Sequence, residues 1–122
     1  MCQRILKQGK GWRLGWTRDP LPYQALVGGD DWAMELTAAE FADFCRLTAQ
    51  LNQTMNQMRE VLMEEEKIAC EAESDLVWLE GEGFPQSYSL RLILQKGRSC
   101  EGNWSAEAVK ELIKALETFQ VF

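Results

Sequence analysis

The chain has 122 residues, 46% hydrophobic and 26% charged, with a formal net charge of -6. That is enough chain for one domain with its own core, and the wrong overall sign for a protein that grips phosphate backbones. There is no histidine, which excludes Ser-His and Cys-His catalytic pairs, histidine-bound metals and the usual physiological-pH switch.

The N-terminal stretch MCQRILKQGKGW carries charge with no apolar run behind it. No signal peptide is expected, no run is long enough for a membrane span, and the expected location is cytoplasmic. The first structured stretch is GWRLGWTR. Trp12, Leu14 and Trp16 alternate with Arg13, Gly15 and Thr17, the period of a half-buried strand. Pro20 and Pro22 break it. Residues 23–28 and 32–36 read as two strands around GGDD, whose glycines and aspartates suit a tight turn.

Thr37 and Glu40 spell T-x-x-E, a capping box. Behind it Phe41, Phe44, Cys45, Thr48, Leu51, Met55, Met58 and Leu62 recur at steps of three and four. This predicts an amphipathic helix over 38–63, closed by the acids Glu64, Glu65 and Glu66, which are unfavourable at a helix C-terminus. The pattern then repeats. Ile68, Cys70 and Ala72 alternate with acids, and residues 76–80 form a more apolar strand. Gly81, Gly83 and Pro85 turn the chain. Tyr88, Leu90, Leu92 and Leu94 make the clearest strand, Lys96-Gly97-Arg98 turns it, and residues 99–104 return. Ser105 caps a helix over 106–120 with the stripe Val109, Leu112, Ile113, Leu116 and Phe119.

The order is strands then helix, twice. Connections this short require antiparallel pairing. The expected fold is α+β: one domain over 1–122, with two antiparallel strand units each followed by a helix, in halves of roughly 1–63 and 64–122. Counted from the caps, Phe41, Phe44 and Cys45 line up with Val109, Leu112 and Ile113.

Candidate chemistry is sparse. Cys2, Cys45, Cys70 and Cys100 lie far apart, with no CxxC pair and no zinc spacing, and are expected to be free thiols. GKGWRLG lacks the strand-to-helix context of a phosphate loop. Asp30-Asp31 suits a hairpin turn and Glu64–Glu66 a solvated helix end. No catalytic, cofactor-binding or metal-ligating residue is assigned. Residues 1–18 hold five basic groups and no acid. Arg4, Lys7, Lys10 and Arg13 are therefore the candidate nucleic-acid contacts, opposed by the acidic balance of the rest. Met55, Met58 and Leu62, at the far end of so long a helix, form a candidate homodimer interface if the sheets leave them uncovered.

The strings GKGWRLGW, GGDDWAMELTAAEF, EEEKIACEAESDLVWLEGEGFPQSYSLRLIL and GRSCEGNW together resemble a small cyanobacterial family labelled as a domain of unknown function. Such proteins are similar in fold to the Whirly and transcriptional-coactivator class of single-stranded-DNA-binding regulators. The resemblance implies a cytoplasmic bacterial protein with no established activity, and supplies no catalytic residues. The expected function is non-enzymatic binding or regulation through contacts with another protein. The alternative is weak single-stranded nucleic-acid binding by fold analogy.

Overall fold

In the computed structural model, which describes residues 4–61 and 66–119, two four-stranded meanders are each followed by a helix. The first runs β1 (Arg4–Gly9), β2 (Trp12–Thr17), β3 (Ala25–Gly28), β4 (Ala33–Leu36) and α1 (Ala38–Met58). The second runs β5 (Ile68–Glu73), β6 (Val77–Phe84), β7 (Ser87–Leu94), β8 (Glu101–Trp104) and α2 (Ala106–Glu117). Strand order within each sheet is sequence order, and every pair is antiparallel. The α+β arrangement read from the pattern is the one observed.

Several boundaries differ. β1 was not expected, because nearly all of RILKQG is exposed and shows no apolar alternation. It is an edge strand, joined to β2 by a turn in which Gly11 takes φ 86, a conformation that favours glycine. β6 continues through Gly81 and Gly83 to Phe84, and the turn falls at Pro85 and Gln86. α1 ends at Met58 rather than near 63. Its buried stripe stops at Met55, Val61 is 76% exposed, and helical stability comes mainly from packing of the apolar face. The last turn also carries no basic residue, and the N–H groups of Arg59 and Glu60 donate to Asn56 O and Gln57 O.

The halves share one register. Ile5, Trp16, Ala25 and Leu36 form a cross-strand row in the first sheet, and Cys70, Gly81, Leu90 and Trp104 form its equivalent in the second. Both helices open the same way. Thr37 (φ -68, ψ 163) accepts from Glu40 N, and Ser105 (φ -69, ψ 162) accepts from Ala108 N. Glu40 closes the reciprocal half of the capping box on Thr37 N.

α1 crosses to the other sheet, while α2 lies back on its own and bridges to the first. α1 packs over β5 and β6, while α2 packs over β7 and reaches β1 and β2. One core results, shared by Phe41, Phe44, Leu47 and Leu51 of α1, Val77, Leu79, Leu90 and Leu92 of the second sheet, and Val109 and Leu112 of α2. At the seam Trp104, 1% exposed, donates from Nε1 to Gly28 O at 2.9 Å. Its ring centroid lies 5.1 Å from Trp32 and 5.6 Å from Phe44. Gly102 has no Cβ because the Trp32 indole occupies that place. Among the described residues no helix is long and apolar enough to cross a membrane.

Candidate functional site

Both sheets bury one face and leave the other to solvent, so the outward residues are where partners can be met. In β2 the inward positions are Trp12, Leu14 and Trp16, all buried. Period two therefore turns Arg13, Gly15 and Thr17 outward. Register places Leu6, Gly15, Leu26 and Glu35 in one outward row. Gly15 adds no side chain, leaving a shallow floor between Leu6 and Leu26. The loop between β2 and β3 brings Leu21 and Tyr23 over it, lining a groove of about 160 Å³.

This half of the molecule holds most of the exposed apolar side chains: Ile5 at 41%, Leu6 at 62%, Leu21 at 51% and Tyr23 at 37%. Beside them runs the outer edge of β1, the end strand of its sheet. Among the described residues no backbone group pairs with that edge. Unpaired N–H and C=O groups beside apolar side chains form a template for strand addition.

The groove wall is held from the other half. Arg98, from the loop before β8, sits with its guanidinium carbon 4.4 Å from the Tyr23 ring centroid. It donates to Glu35 O at 2.5 Å and to the carboxylate of buried Glu40. Three partners fix one side chain, and Arg98 in turn fixes Tyr23.

The second sheet's outer face has the opposite character. Glu71, Glu73, Glu80, Glu82 and Glu101 line it, with Arg91 paired to Glu101 at 2.5 Å and lying over Trp78. The hydrogen bond and charge of Glu101 raise Arg91 above its usual range. No group of three or more Cys, Asp or Glu residues has metal-holding geometry among the described residues.

The candidate contacts of the basic strand are not brought together. Arg13 is engaged within the chain. Its Nε and Nη2 donate to Gly29 O and Trp32 O, both at 2.8 Å, so the guanidinium pins the β3–β4 turn. Lys7 donates to Thr118 Oγ1 at 2.6 Å and lies over the Phe119 ring. Arg4 and Lys10 remain exposed at opposite ends of β1. Trp12 and Trp16 are turned into the core, 7% and 8% exposed.

The candidate dimer stripe also changes. Met55 is fully buried within the single chain, because Gly81 leaves room for it on the sheet beneath. Met58 is half-buried. Leu62 lies outside the described residues. Cys45, Cys70 and Cys100 are free thiols, and Cys2 lies outside the described residues. Burial pushes the Cys45 thiol up to about 12, which removes it as a nucleophile at neutral pH.

Leu6, Gly15, Leu21, Tyr23 and Leu26 were missed as a site in the sequence. A signal was present: outward alternation in β2 puts Gly15 on the solvent face, and two large apolar residues sit in a proline-rich loop.

Residues 7–119 match the family described as a domain of unknown function, DUF1818. The chain belongs to that family. A crystal structure of a protein of unknown function, described as from the DUF155 family of the cyanobacterium Prochlorococcus sp. NATL2A, superposes with a TM-score of 0.88. It is 27% identical over 93% of this chain and 97% of its own. No curated protein matches the chain.

Proposed function

We propose that this family member is a binding protein rather than an enzyme, and that it meets another protein through the outer face and open edge of its first sheet. The observation that carries this reading is the gathering of Leu6, Leu21 and Tyr23 around the Gly15 floor beside an unpaired strand edge. Exposed apolar patches next to such edges mark interaction surfaces. The basic residues Arg4 and Lys10 flank the patch, which favours a partner segment that mixes apolar and acidic side chains.

The alternative, single-stranded nucleic-acid binding in a Whirly-like manner, draws on the same N-terminal strand. Its usual apparatus is a cationic groove with stacking aromatics. Here the tryptophans of β2 are buried and Arg13 is committed, which supports the protein-binding reading.

The test is affinity capture from the source cell with the wild-type chain and with a Leu6→Asp/Leu21→Asp double variant, with and without nuclease. Both side chains are more than half exposed, so the variant is expected to fold. Partners lost from the variant and indifferent to nuclease are the expected result. Partners released by nuclease would favour the alternative. Partners retained by the variant would move the surface elsewhere.

A further inference from the structure

A second cleft, on a different part of the surface, sets a rim of donors over an apolar floor. It lies between the end of α1, the turn joining β6 to β7, and α2, and encloses about 330 Å³, within the range of small-molecule sites. Asn52, Asn56 and Arg59 project from one face of α1, at helical spacing. Lys110 and Lys114 project from α2, one turn apart. The side chains of Arg59, Lys110 and Lys114 make no ion pair or hydrogen bond with any described residue. Glu117 is the one acid in the lining.

Asn52 is held in a definite orientation. The Tyr88 hydroxyl donates to Asn52 Oδ1 at 2.7 Å, which spends the acceptor end of the amide and leaves its N–H₂ free to donate. Burial, and then the charge of nearby Cys70, pushes Tyr88 up to about 12. Its hydroxyl therefore stays protonated, and stays a donor, at neutral pH. The floor is apolar, made by buried Pro85, Val109 and the Tyr88 ring, with half-buried Ile113 beside them.

We propose that this cleft binds a small phosphate monoester with an apolar body, its phosphate among Arg59, Lys110, Lys114 and the Asn52 amide and its body on Val109, Ile113 and Tyr88. The argument is one of chemical matching. A dianion with three terminal oxygens satisfies several donors at once, and charge-assisted hydrogen bonds are the strong ones. A neutral ligand would leave three cations unanswered, and a bare phosphate would leave the apolar floor wet. The site is separate from the Leu6 groove, so it stands or falls independently of the protein-binding reading.

The test uses phenyl phosphate, inorganic phosphate and phenol as probes against the isotope-labelled full chain, following backbone amide resonances. Phenyl phosphate should give saturable shifts at Asn52, Asn56, Arg59, Gln86, Lys110 and Lys114. Inorganic phosphate and phenol should each bind at least about ten-fold more weakly, since each satisfies half the site. A Lys110→Gln/Lys114→Gln variant, altered at two exposed positions, should keep its spectrum and bind phenyl phosphate about ten-fold more weakly. The proposal is overturned if phenol matches phenyl phosphate or if the double variant binds unchanged. Shifts that fall on Arg4, Lys7 and Lys10 instead, or no saturable shift at all, would also overturn it.

Discussion

The two halves use one plan and fill it differently. At the same point of the same cross-strand row, the first sheet has Trp16 and the second has Gly81. Trp16 stacks on Phe41 of α1 with centroids 5.9 Å apart. Gly81 carries nothing, and Leu51 and Met55 of the longer helix fill the space instead. The strand side chain and the part of the helix facing it are therefore complementary choices. Where α1 lays Leu51 and Met55 on the second sheet the strand has a glycine, and where its first turn meets the first sheet at Phe41 the strand supplies an indole. A shared register specifies where a core residue stands, and the facing element decides how large it is.

The largest test of this comparison breaks the seam where the halves meet. Trp104→Ala removes the largest fully buried side chain and its bond to Gly28 O. It should cost about 4 kcal/mol in denaturant unfolding. A loss under about 1 kcal/mol would show that the halves do not depend on one another there.

Arg98→Ala comes next. It leaves the Glu40 carboxylate buried without its cation and frees Tyr23. We expect a loss of about 2–3 kcal/mol, less than for a fully buried pair because Arg98 retains 27% side-chain exposure. Arg98→Lys should recover only part of it, since an ammonium cannot reach Glu35 O and Glu40 in the same fork. Equal stability of the Lys variant and the wild type would refute the geometric role.

Gly81→Ala probes the complementarity directly. The new Cβ would stand 2.7 Å from Leu51 Cδ2, 3.2 Å from Tyr88 Cδ2 and 3.4 Å from Met55 Cε. The closest of these is the flexible tip of Leu51, so the cost should be about 1 kcal/mol rather than a failure to fold. Leu51→Ala should therefore cost less beside Gly81→Ala than in the wild type, and an equal cost would mean the strain lies in the backbone.

A smaller gain is expected from Thr48→Val. Counted from the caps, Thr48 stands where α2 has Leu116, and both are buried. Among the described residues the Thr48 hydroxyl has no hydrogen-bond partner, so an apolar replacement of similar shape should stabilise by about 1 kcal/mol. No gain in thermal unfolding would indicate that a water serves the hydroxyl.

The last effect is nil at neutral pH. Cys45 occupies the position of Ile113, and burial raises its thiol from 9.0 to about 12. The unfolded chain loses that proton first, so stability should fall as pH rises from 9 towards 12 and be unaffected below 9. Cys45→Val should flatten the alkaline limb measured by denaturant unfolding, and an unchanged limb would assign the loss to other groups such as Tyr88.

Much of this fold was legible because periodicity and caps are local. T-x-x-E and Ser105 marked both helix starts, and the alternation in 88–94 marked β7. β1 was not legible, because its residues face solvent and are specified by pairing with β2 rather than by their own pattern. The end of α1 was missed because Met58 continues the apolar spacing after the sheet beneath has ended. The fate of Met55 depended on a glycine on another strand, a long-range fact with no trace in the helix. The cleft with Lys110 and Lys114 joins three elements far apart in sequence, so no spacing announces it.

The crossing of α1 onto the second sheet has a consequence for how the protein is made. α1 is complete at Met58, yet the strands it packs on, β5 and β6, begin at Ile68 and Val77. At the roughly 5–20 residues per second of ribosomal synthesis, the first half emerges seconds before its cover does. During that interval Phe44, Leu51 and Met55 have no second sheet to lie on. A chain interrupted in the connection after Val61 would keep that apolar stripe bare, so premature termination there should yield an aggregating fragment rather than a small stable domain.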